Sequence, residues 1–118
     1  MLEKFFYMNL LYDFYGQFLT ERQSEIVEMY YNLNYSLGEI AEKLGISRQG
    51  VHDILKRAEE LMLDYEKKLG LVNGYTVRME KLNVAIKILE EVIVGLSDDK
   101  VTEKIVEVKN ILVSLKES

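Results

Sequence analysis

An all-α fold is predicted by three observations on the amino-acid sequence. The 118 residues include no proline, the residue that interrupts helices most strongly. Apolar residues recur at spacings of three and four, which is the period of a helix with one buried face. Thr20 with Gln23 and Ser36 with Glu39 each pair a hydroxyl residue with Gln or Glu three positions later, the pattern of a helix-capping box. The expected architecture is therefore a helical bundle.

The first two helices are placed by their apolar residues and by the first capping signal. A helix over residues 3–15 carries Phe5, Phe6, Leu10 and Phe14. Gly16 is expected to end it, and the next helix opens at Thr20 and extends to about residue 33. Its residues expected to face inward are Ile26, Val27, Met29, Tyr30 and Leu33.

Residues 36–57, SLGEIAEKLGISRQGVHDILKR, are predicted to form two short helices joined by a tight turn. Ala41 lies where two steeply crossing helices leave room for little more than a methyl group, and Gly45 supplies the positive φ that ends the first helix. Ser47 caps the second helix, and Val51 and Ile54 are its buried anchors. This spacing predicts a helix-turn-helix and makes nucleic-acid binding the first function to consider.

The second helix of the motif, over about residues 47–69, separates into two faces at about 100° per residue. Its apolar arc contains Val51, Ile54, Leu55, Ala58, Leu61 and Met62. The candidate nucleic-acid-binding residues, at the cap and in the polar half, are Ser47, Arg48, Gln49, His52, Lys56 and Arg57. Arg can bind guanine and Gln can bind adenine in a major groove, whereas Lys and Arg further along suit phosphates. The alternative is an ordinary solvated helix face, which explains Asp53 better because phosphates repel a carboxylate.

The net charge weighs against strong nucleic-acid binding. The chain has 15 basic and 20 acidic residues, a net charge of −5, whereas free-standing DNA-binding proteins usually carry a basic surface. Between residues 43 and 57 four bases and one acid give a local charge of +3. Glu59, Glu60, Asp64 and Glu66 follow at once. We therefore expect modest affinity, strengthened by dimerisation or by a partner.

Aromatic residues offer a different nucleic-acid hypothesis, in which tyrosines stack on RNA bases. The tyrosines concerned are Tyr7, Tyr12, Tyr15, Tyr30, Tyr31 and Tyr35. Most of them lie on helix faces expected to be buried, so DNA is favoured over RNA.

Other residue types point away from an enzyme and from a membrane protein. The chain has no cysteine and one histidine, His52, so neither a disulfide nor a metal site is expected. No phosphate-binding glycine loop, paired-carboxylate site or Ser/His/Asp set is present, so no catalytic residue or cofactor is predicted. No apolar run approaches the roughly 20 residues of a membrane span, and the N-terminus does not have the pattern of a signal peptide. A cytoplasmic protein is expected.

The C-terminal part is predicted to be a helical hairpin. Its two apolar seams are Leu82, Ile86, Leu89, Ile93 and Leu96, and then Val101, Ile105, Val108, Leu112 and Leu115. The turn between them falls at residues 95–97, where Gly95 can end one helix and Ser97 with Asp98 and Asp99 can begin the next. Glycines within residues 70–74 predict a hinge, so the chain divides into a helix-turn-helix domain, 1–72, and the hairpin, 73–118. We expect the hairpin to pair with a second copy as a homodimer; packing onto the first domain is the alternative.

Residues 19–62 resemble region 4 of bacterial sigma factors, which binds promoter DNA through a helix-turn-helix. A closer resemblance, over about residues 8–71, is to the YlxM-type helix-turn-helix proteins. It rests on MNLLYDFYGQFLTERQ, the YY pair, SLGEIAE, SRQ, KR and YEKKLGL. The family commonly has Ala where this chain has Gly50, and Gly there loosens the start of the second helix.

The resemblance to the YlxM-type family carries functional expectations of its own. The family is known mainly as small regulator-like proteins encoded beside genes of the signal recognition particle. It implies a sigma-region-4-like fold and a non-enzymatic DNA-binding regulator linked to that pathway. The alternative is an accessory protein that contacts the RNA or the GTPase of the particle without specific DNA binding.

Overall fold

The computed structural model describes residues 2–117, which form six α-helices in two compact units. The helices are α1 (Leu2–Tyr15), α2 (Glu21–Val27), α3 (Leu37–Leu44), α4 (Arg48–Leu69), α5 (Leu71–Gly95) and α6 (Asp99–Glu117). A 3-10 turn, Gly16–Phe18, follows α1, and a π-helical turn, Glu28–Asn32, continues α2. The first unit ends at Val72 and the second begins at Asn73. The all-α prediction is confirmed for the described residues.

The first unit is built around α4, which packs against α1, α2 and α3. The buried row on α4 consists of Val51, Leu55, Ala58 and Met62, at the spacing of one helix face. The buried residues that face it are Met8, Leu11, Tyr15, Ile26, Val27, Tyr31, Ile40, Ala41 and Val72. Removal of this apolar surface from water is the main stabilising contribution to the unit.

The π-helical turn changes the register of the second helix. Leu33, which the sequence predicted to face inward, is 51 % exposed, and Tyr31 is buried instead. A π turn adds one residue to a helical turn, so the Leu33 N–H donates to the Glu28 carbonyl five residues back, at 3.0 Å. The prediction for Leu33 is therefore wrong, because the extra residue rotates the end of the helix. Ile26 and Val27 are buried as predicted.

The tyrosine brought inward by the π turn has a polar partner on α4. Its hydroxyl, Tyr31 Oη, donates a hydrogen bond to Glu59 Oε1 at 2.9 Å. Burial, and then this bond to a carboxylate, raise the pKa of Tyr31. The hydroxyl therefore stays protonated and satisfied inside the unit.

The junction between α4 and α5 is a single residue. Gly70 adopts a left-handed conformation with φ +63°, which ends α4, and α5 begins at Leu71. Asn73 and Gly74 lie inside α5, so the broader break predicted over residues 70–74 is wrong in its extent.

A second tyrosine and a second glutamate cap the start of α5. Tyr15 Oη donates to Glu66 Oε1 at 2.6 Å and accepts the Leu71 N–H at 3.1 Å. Glu66 Oε1 also accepts the Val72 N–H at 2.9 Å. The first N–H groups of a helix have no partner within it, so these bonds satisfy two of them. Burial, and then the bond to Glu66, raise the pKa of Tyr15.

The second unit is a helical hairpin made by residues 73–95 of α5 and by α6. Lys109 Nζ lies 3.6 Å from Glu90 Oε2 across the two helices. Asp98 Oδ1 accepts the N–H groups of Lys100, at 2.9 Å, and Val101, at 3.3 Å. The predicted turn is therefore confirmed, with a carboxylate cap at the start of α6.

The two predicted seams of the hairpin have different outcomes. The five residues of the first seam, four in α5 and Leu96 just after it, are buried or half-buried. On α6, Ile105 and Leu112 are half-buried, but Val101, Val108 and Leu115 are exposed by 43–57 %. The less exposed row of α6 runs instead through Thr102, Ile105, Lys109 and Leu112. The predicted seam starts at Val101, one residue before the observed row, and one residue turns a helix by about 100°. Part of the predicted seam therefore lies on an open side of the hairpin.

Replacing Ala41 with Leu tests the crossing of the two motif helices. Ala41 is 8 % exposed, and α3 packs against α4. The larger side chain should force the helices apart and lower the free energy of unfolding by about 1–3 kcal/mol. Urea denaturation measures this change, and Glu42→Leu at the exposed neighbouring position is the control. Equal stability of Ala41→Leu and the parent would contradict the close approach at Ala41.

Candidate nucleic-acid interface

Three local features define the helix-turn-helix: a cap on α3, the turn at Gly45 and a cap on α4. Ser36 Oγ accepts the Glu39 N–H at 3.1 Å, and Glu39 Oε1 accepts the Ser36 N–H at 3.0 Å, which completes a capping box on α3. The bond from the Ser36 N–H to the carboxylate, and then the interaction of the Ser36 hydroxyl with the same carboxylate, lower the pKa of Glu39. Gly45 ends α3 with φ +67°, and Ser47 Oγ accepts the Gly50 N–H at 2.9 Å at the start of α4. The helix-turn-helix thus has a cap at both of its helix starts.

The candidate nucleic-acid-binding residues lie together on the exposed side of the first turns of α4. These residues are Ser47, at the cap, and Arg48, Gln49, His52, Lys56 and Arg57. Within residues 2–117, Arg48, Lys56 and Arg57 form no salt bridge. Their charges are therefore available to phosphates or base edges. Ser47 has a structural role as well, because its oxygen is the acceptor that caps α4.

Asp53 has a specific role that the sequence analysis did not assign to it. Gln49 Nε2 donates to Asp53 Oδ1 at 3.0 Å, and His52 Nδ1 lies 3.5 Å from the same oxygen. The bond engages one amide N–H of Gln49 and holds the side chain along the exposed surface of α4. The signal was present in the sequence, because Gln and Asp four residues apart on a helix commonly pair.

An open notch of about 340 Å³ lies at the start of α4 and is lined by Leu37, Arg48, Gln49 and His52. A base-pair edge in this notch could contact polar side chains and also an apolar one. This is the combination that distinguishes adenine and thymine in a major groove. Leu37 was not among the predicted site residues. It belongs to the first turn of α3, and the turn between the helices brings it beside α4.

A second groove on the first unit brings a further basic residue to the interface. Lys4 of α1 lines it together with His52, Lys56, Glu59 and Glu60 of α4. Lys4 was not among the predicted site residues, because more than thirty residues separate it from the motif. Only the packing of α1 against α4 places it there.

The acidic residues that follow the motif are partly used inside the fold. Glu59 accepts from Tyr31, and Glu66 accepts from Tyr15 and from the start of α5. Asp64 Oδ2 forms an i,i+4 ion pair with Lys68 Nζ at 3.0 Å. Three of these acids therefore take part in the fold, two in hydrogen bonds that join packed elements and one in an ion pair within α4.

Among residues 2–117, no three His, Cys, Asp or Glu side chains are grouped so that they could hold a metal ion. In the same residues, no helix is both long and apolar enough to cross a membrane.

Residues 2–108 match the sequence profile of a family described as "Putative helix-turn-helix protein, YlxM / p13 like". The chain belongs to this family. The match covers α1 to α5 and the first half of α6, so the YlxM/p13-like family includes part of the hairpin as well as the motif. The resemblance to YlxM-type proteins is confirmed.

Several relatives carry the name UPF0122 protein. The protein from Caldanaerobacter subterraneus is 58 % identical over 82 residues, which is 70 % of this chain and 70 % of the relative. The protein from a Thermoanaerobacter species is 56 % identical over 90 residues, 76 % of this chain and 77 % of the relative. The protein from Streptococcus gordonii is 47 % identical over 81 residues, 69 % of this chain and 74 % of the relative.

Removing the cap of α4 tests how firmly the interface is presented. Ser47→Ala leaves the Gly50 N–H without its acceptor, so the free energy of unfolding should fall by about 1 kcal/mol. Urea denaturation measures the loss. Ser97→Ala is the control, because Asp98 and not Ser97 caps α6. If both variants unfold like the parent, the Ser47 cap does not stabilise α4.

Proposed function

We propose that this protein is a DNA-binding regulator that inserts α4 into the major groove. The observation that carries the proposal is the exposed set of cations, Arg48, Lys56 and Arg57, on the second helix of a capped helix-turn-helix, none of them in a salt bridge within residues 2–117. The family and the all-α fold support a binding protein rather than an enzyme. A cytoplasmic location, where such a protein meets DNA, is part of the same proposal.

The proposed contacts divide by their position along α4. Arg48 and Gln49, in the first turn, read base edges, and Asp53 orients the Gln49 amide through its hydrogen bond. His52 lies between them and the phosphate-binding residues. Lys56 and Arg57, about two turns further, contact phosphates and set the register of the helix in the groove.

DNA fits this surface better than RNA does. The major groove of B-form DNA admits an α-helix, whereas the deep and narrow major groove of an RNA helix does not. Tyr15 and Tyr31 are buried, so these two tyrosines offer no stacking surface for unpaired bases. Both observations favour a duplex DNA ligand.

The net charge of −5 limits the affinity of one copy, so we also propose that the protein acts as a homodimer. Two rigidly joined weak contacts act at a high effective concentration. A two-fold axis suits a site with two half-sites about one helical turn apart. The second unit, with apolar side chains exposed along both of its helices, is the proposed dimerisation element.

A second candidate function is favoured by the same net charge. In this hypothesis the protein is an accessory of the signal recognition particle. It contacts the RNA or the GTPase of the particle and does not bind DNA specifically. A link to the signal recognition particle pathway is also compatible with the first proposal, in which the protein is a DNA-binding regulator. The two functions differ in whether the exposed face of α4 binds duplex DNA.

Alanine substitutions on α4 test the DNA-binding face. Arg48→Ala should cost about 1–3 kcal/mol of specific binding and relax the preference at one base pair. Lys56→Ala should weaken binding to all sequences and reduce the magnitude of the salt slope by about one. Fluorescence anisotropy with duplexes selected from a random pool, at several salt concentrations, measures both effects.

Lys67→Ala is the matched control for this experiment. Lys67 is an exposed cation in the last turn of the same helix, away from the proposed interface. If all three variants bind like the parent, the function does not reside on this face. Absence of duplex binding by the parent at low salt, with retained binding to signal recognition particle RNA or GTPase, would establish the accessory function instead.

Ile111→Glu tests the proposed homodimer. Ile111 is exposed, so a carboxylate there should disrupt association without entering the row between α5 and α6. The parent should sediment as a dimer at micromolar concentration and the variant as a monomer of unchanged helicity. Val94→Glu, at a position 87 % exposed on the other side of the hairpin, should remain dimeric. A monomeric parent would contradict the homodimer.

A further inference from the structure

The hairpin lacks an interior of its own. Among its described residues only Ile86 is buried, whereas the core of the first unit has thirteen buried residues. Its large apolar residues that are exposed by more than a third are Val77, Val84, Ile88, Val92, Val94, Val101, Val106, Val108, Ile111 and Leu115. Monomeric proteins rarely leave a large continuous apolar surface open, so any continuous part of this set fits an interface.

Part of this surface forms one continuous side of the hairpin, here called the open face. It consists of Ala85, Ile88 and Val92 of α5 and Val101, Val108, Ile111 and Leu115 of α6. At about 100° per residue, both sets lie on the same flank of the plane that contains the two helix axes. An open cavity lined by Arg78, Lys81 and Leu115 supports this placement, because it joins the two helices on that flank.

The size of the open face suits a second copy. The 19 residues of α6 make a helix about 29 Å long, and two neighbouring helices are about 20 Å wide. The face therefore covers on the order of 600 Å² in projection, close to the roughly 800 Å² per partner of a standard interface.

Two-fold symmetry allows two ways to stack the open faces of two copies. An axis along the hairpin places α5 on the partner's α6, with the two turns side by side. An axis across the hairpin places α5 on the partner's α5 and α6 on the partner's α6, with each turn beside the other copy's open end. In both cases the same surface is used by both copies.

The charges of the hairpin distinguish the two arrangements. The open end, residues 73–84 and 113–117, has three bases and two acids, a net charge of +1. The turn end, residues 91–106, has two bases and four acids, a net charge of −2. An axis along the hairpin sets like ends together and brings Lys81 of one copy to Lys116 of the other. An axis across the hairpin sets the basic end of each copy against the acidic end of its partner.

We propose that two hairpins pair through their open faces in the antiparallel arrangement, with the turn end of each on the open end of the other. The proposal rests on the homodimer proposed above and specifies its direction. Apolar contact supplies the affinity, and the end-to-end charge difference selects the direction. The two-fold axis then passes close to Ile88 on α5 and Ile111 on α6.

Engineered cysteines test the direction cleanly, because the chain has no cysteine of its own. In the full-length protein, Ile88→Cys should give a covalent dimer with a short bismaleimide, since the axis brings position 88 next to position 88 of the partner. Val101→Cys, on the same face but at the turn end, should give none. An equimolar mixture of Ile88→Cys and Ile111→Cys should show no mixed dimer beyond the two self-linked species.

The alternative results each overturn the proposal. Mixed Ile88–Ile111 dimers without Ile88 self-linking would establish the parallel arrangement. Equal linking of Ile88→Cys and Val101→Cys would indicate collision rather than a defined interface. No linking in a parent that sediments as a dimer would place the interface elsewhere and leave the homodimer intact, whereas a monomeric parent would overturn the homodimer as well.

A matched pair of charge reversals gives a second readout. Lys81→Glu adds an acid on the side of the open face, opposite the partner's acidic end, and should weaken dimerisation roughly tenfold at low salt. Lys87→Glu makes the same charge change on the opposite flank and should alter the dissociation constant by less than about twofold. Sedimentation equilibrium measures both. Tighter association of Lys81→Glu, or equal effects of the two variants, would overturn the antiparallel arrangement.

Discussion

The buried row of α4 is the constraint on which the first unit and its candidate interface depend. Val51, Leu55, Ala58 and Met62 meet three other helices, so α4 cannot rotate without leaving cavities in a closely packed core. Loss of one large buried side chain from such a core typically costs about 2–5 kcal/mol. Because the faces of a helix are fixed relative to one another, burial of this row also decides where Arg48 and Lys56 point. The proposed DNA-reading face is a consequence of the core.

Two tyrosine–glutamate hydrogen bonds give a structural reason for part of the acidity of the chain. Tyr31 with Glu59 joins the π-helical turn to α4, and Tyr15 with Glu66 joins α1 to α4, where both side chains also accept N–H groups from the start of α5. Each bond satisfies the O–H donor of a buried phenol, and leaving such a donor unsatisfied is costly. Two of the four acids that follow the motif, Glu59 and Glu66, thus have a role in the fold. A net charge of −5 is consequently weaker evidence against DNA binding than it is for a protein whose acids all lie free on the surface.

The hairpin differs from the first unit in how its apolar surface is used. One row lies between α5 and α6 around Ile86, and further apolar side chains lie outside that row. A pair of helices offers too little interior to bury both sets, whereas a pair of hairpins could bury the open face as well. This division supports the proposal that the hairpin joins two copies, and that a weak DNA-binding unit gains affinity from duplication.

The sequence by itself determined the features that arise within a few residues. The capping boxes, the Gly45 turn, the Ser47 cap and the apolar arc of α4 all follow from contacts within one or two helical turns, so the helix-turn-helix and the turn at residues 95–99 were predictable. Only the tertiary structure decided which of Tyr31 and Leu33 is buried, that Lys4 lies beside Lys56, and which α6 residues remain open. These outcomes depend on packing between residues far apart in the chain, and the helical period constrains such packing only loosely.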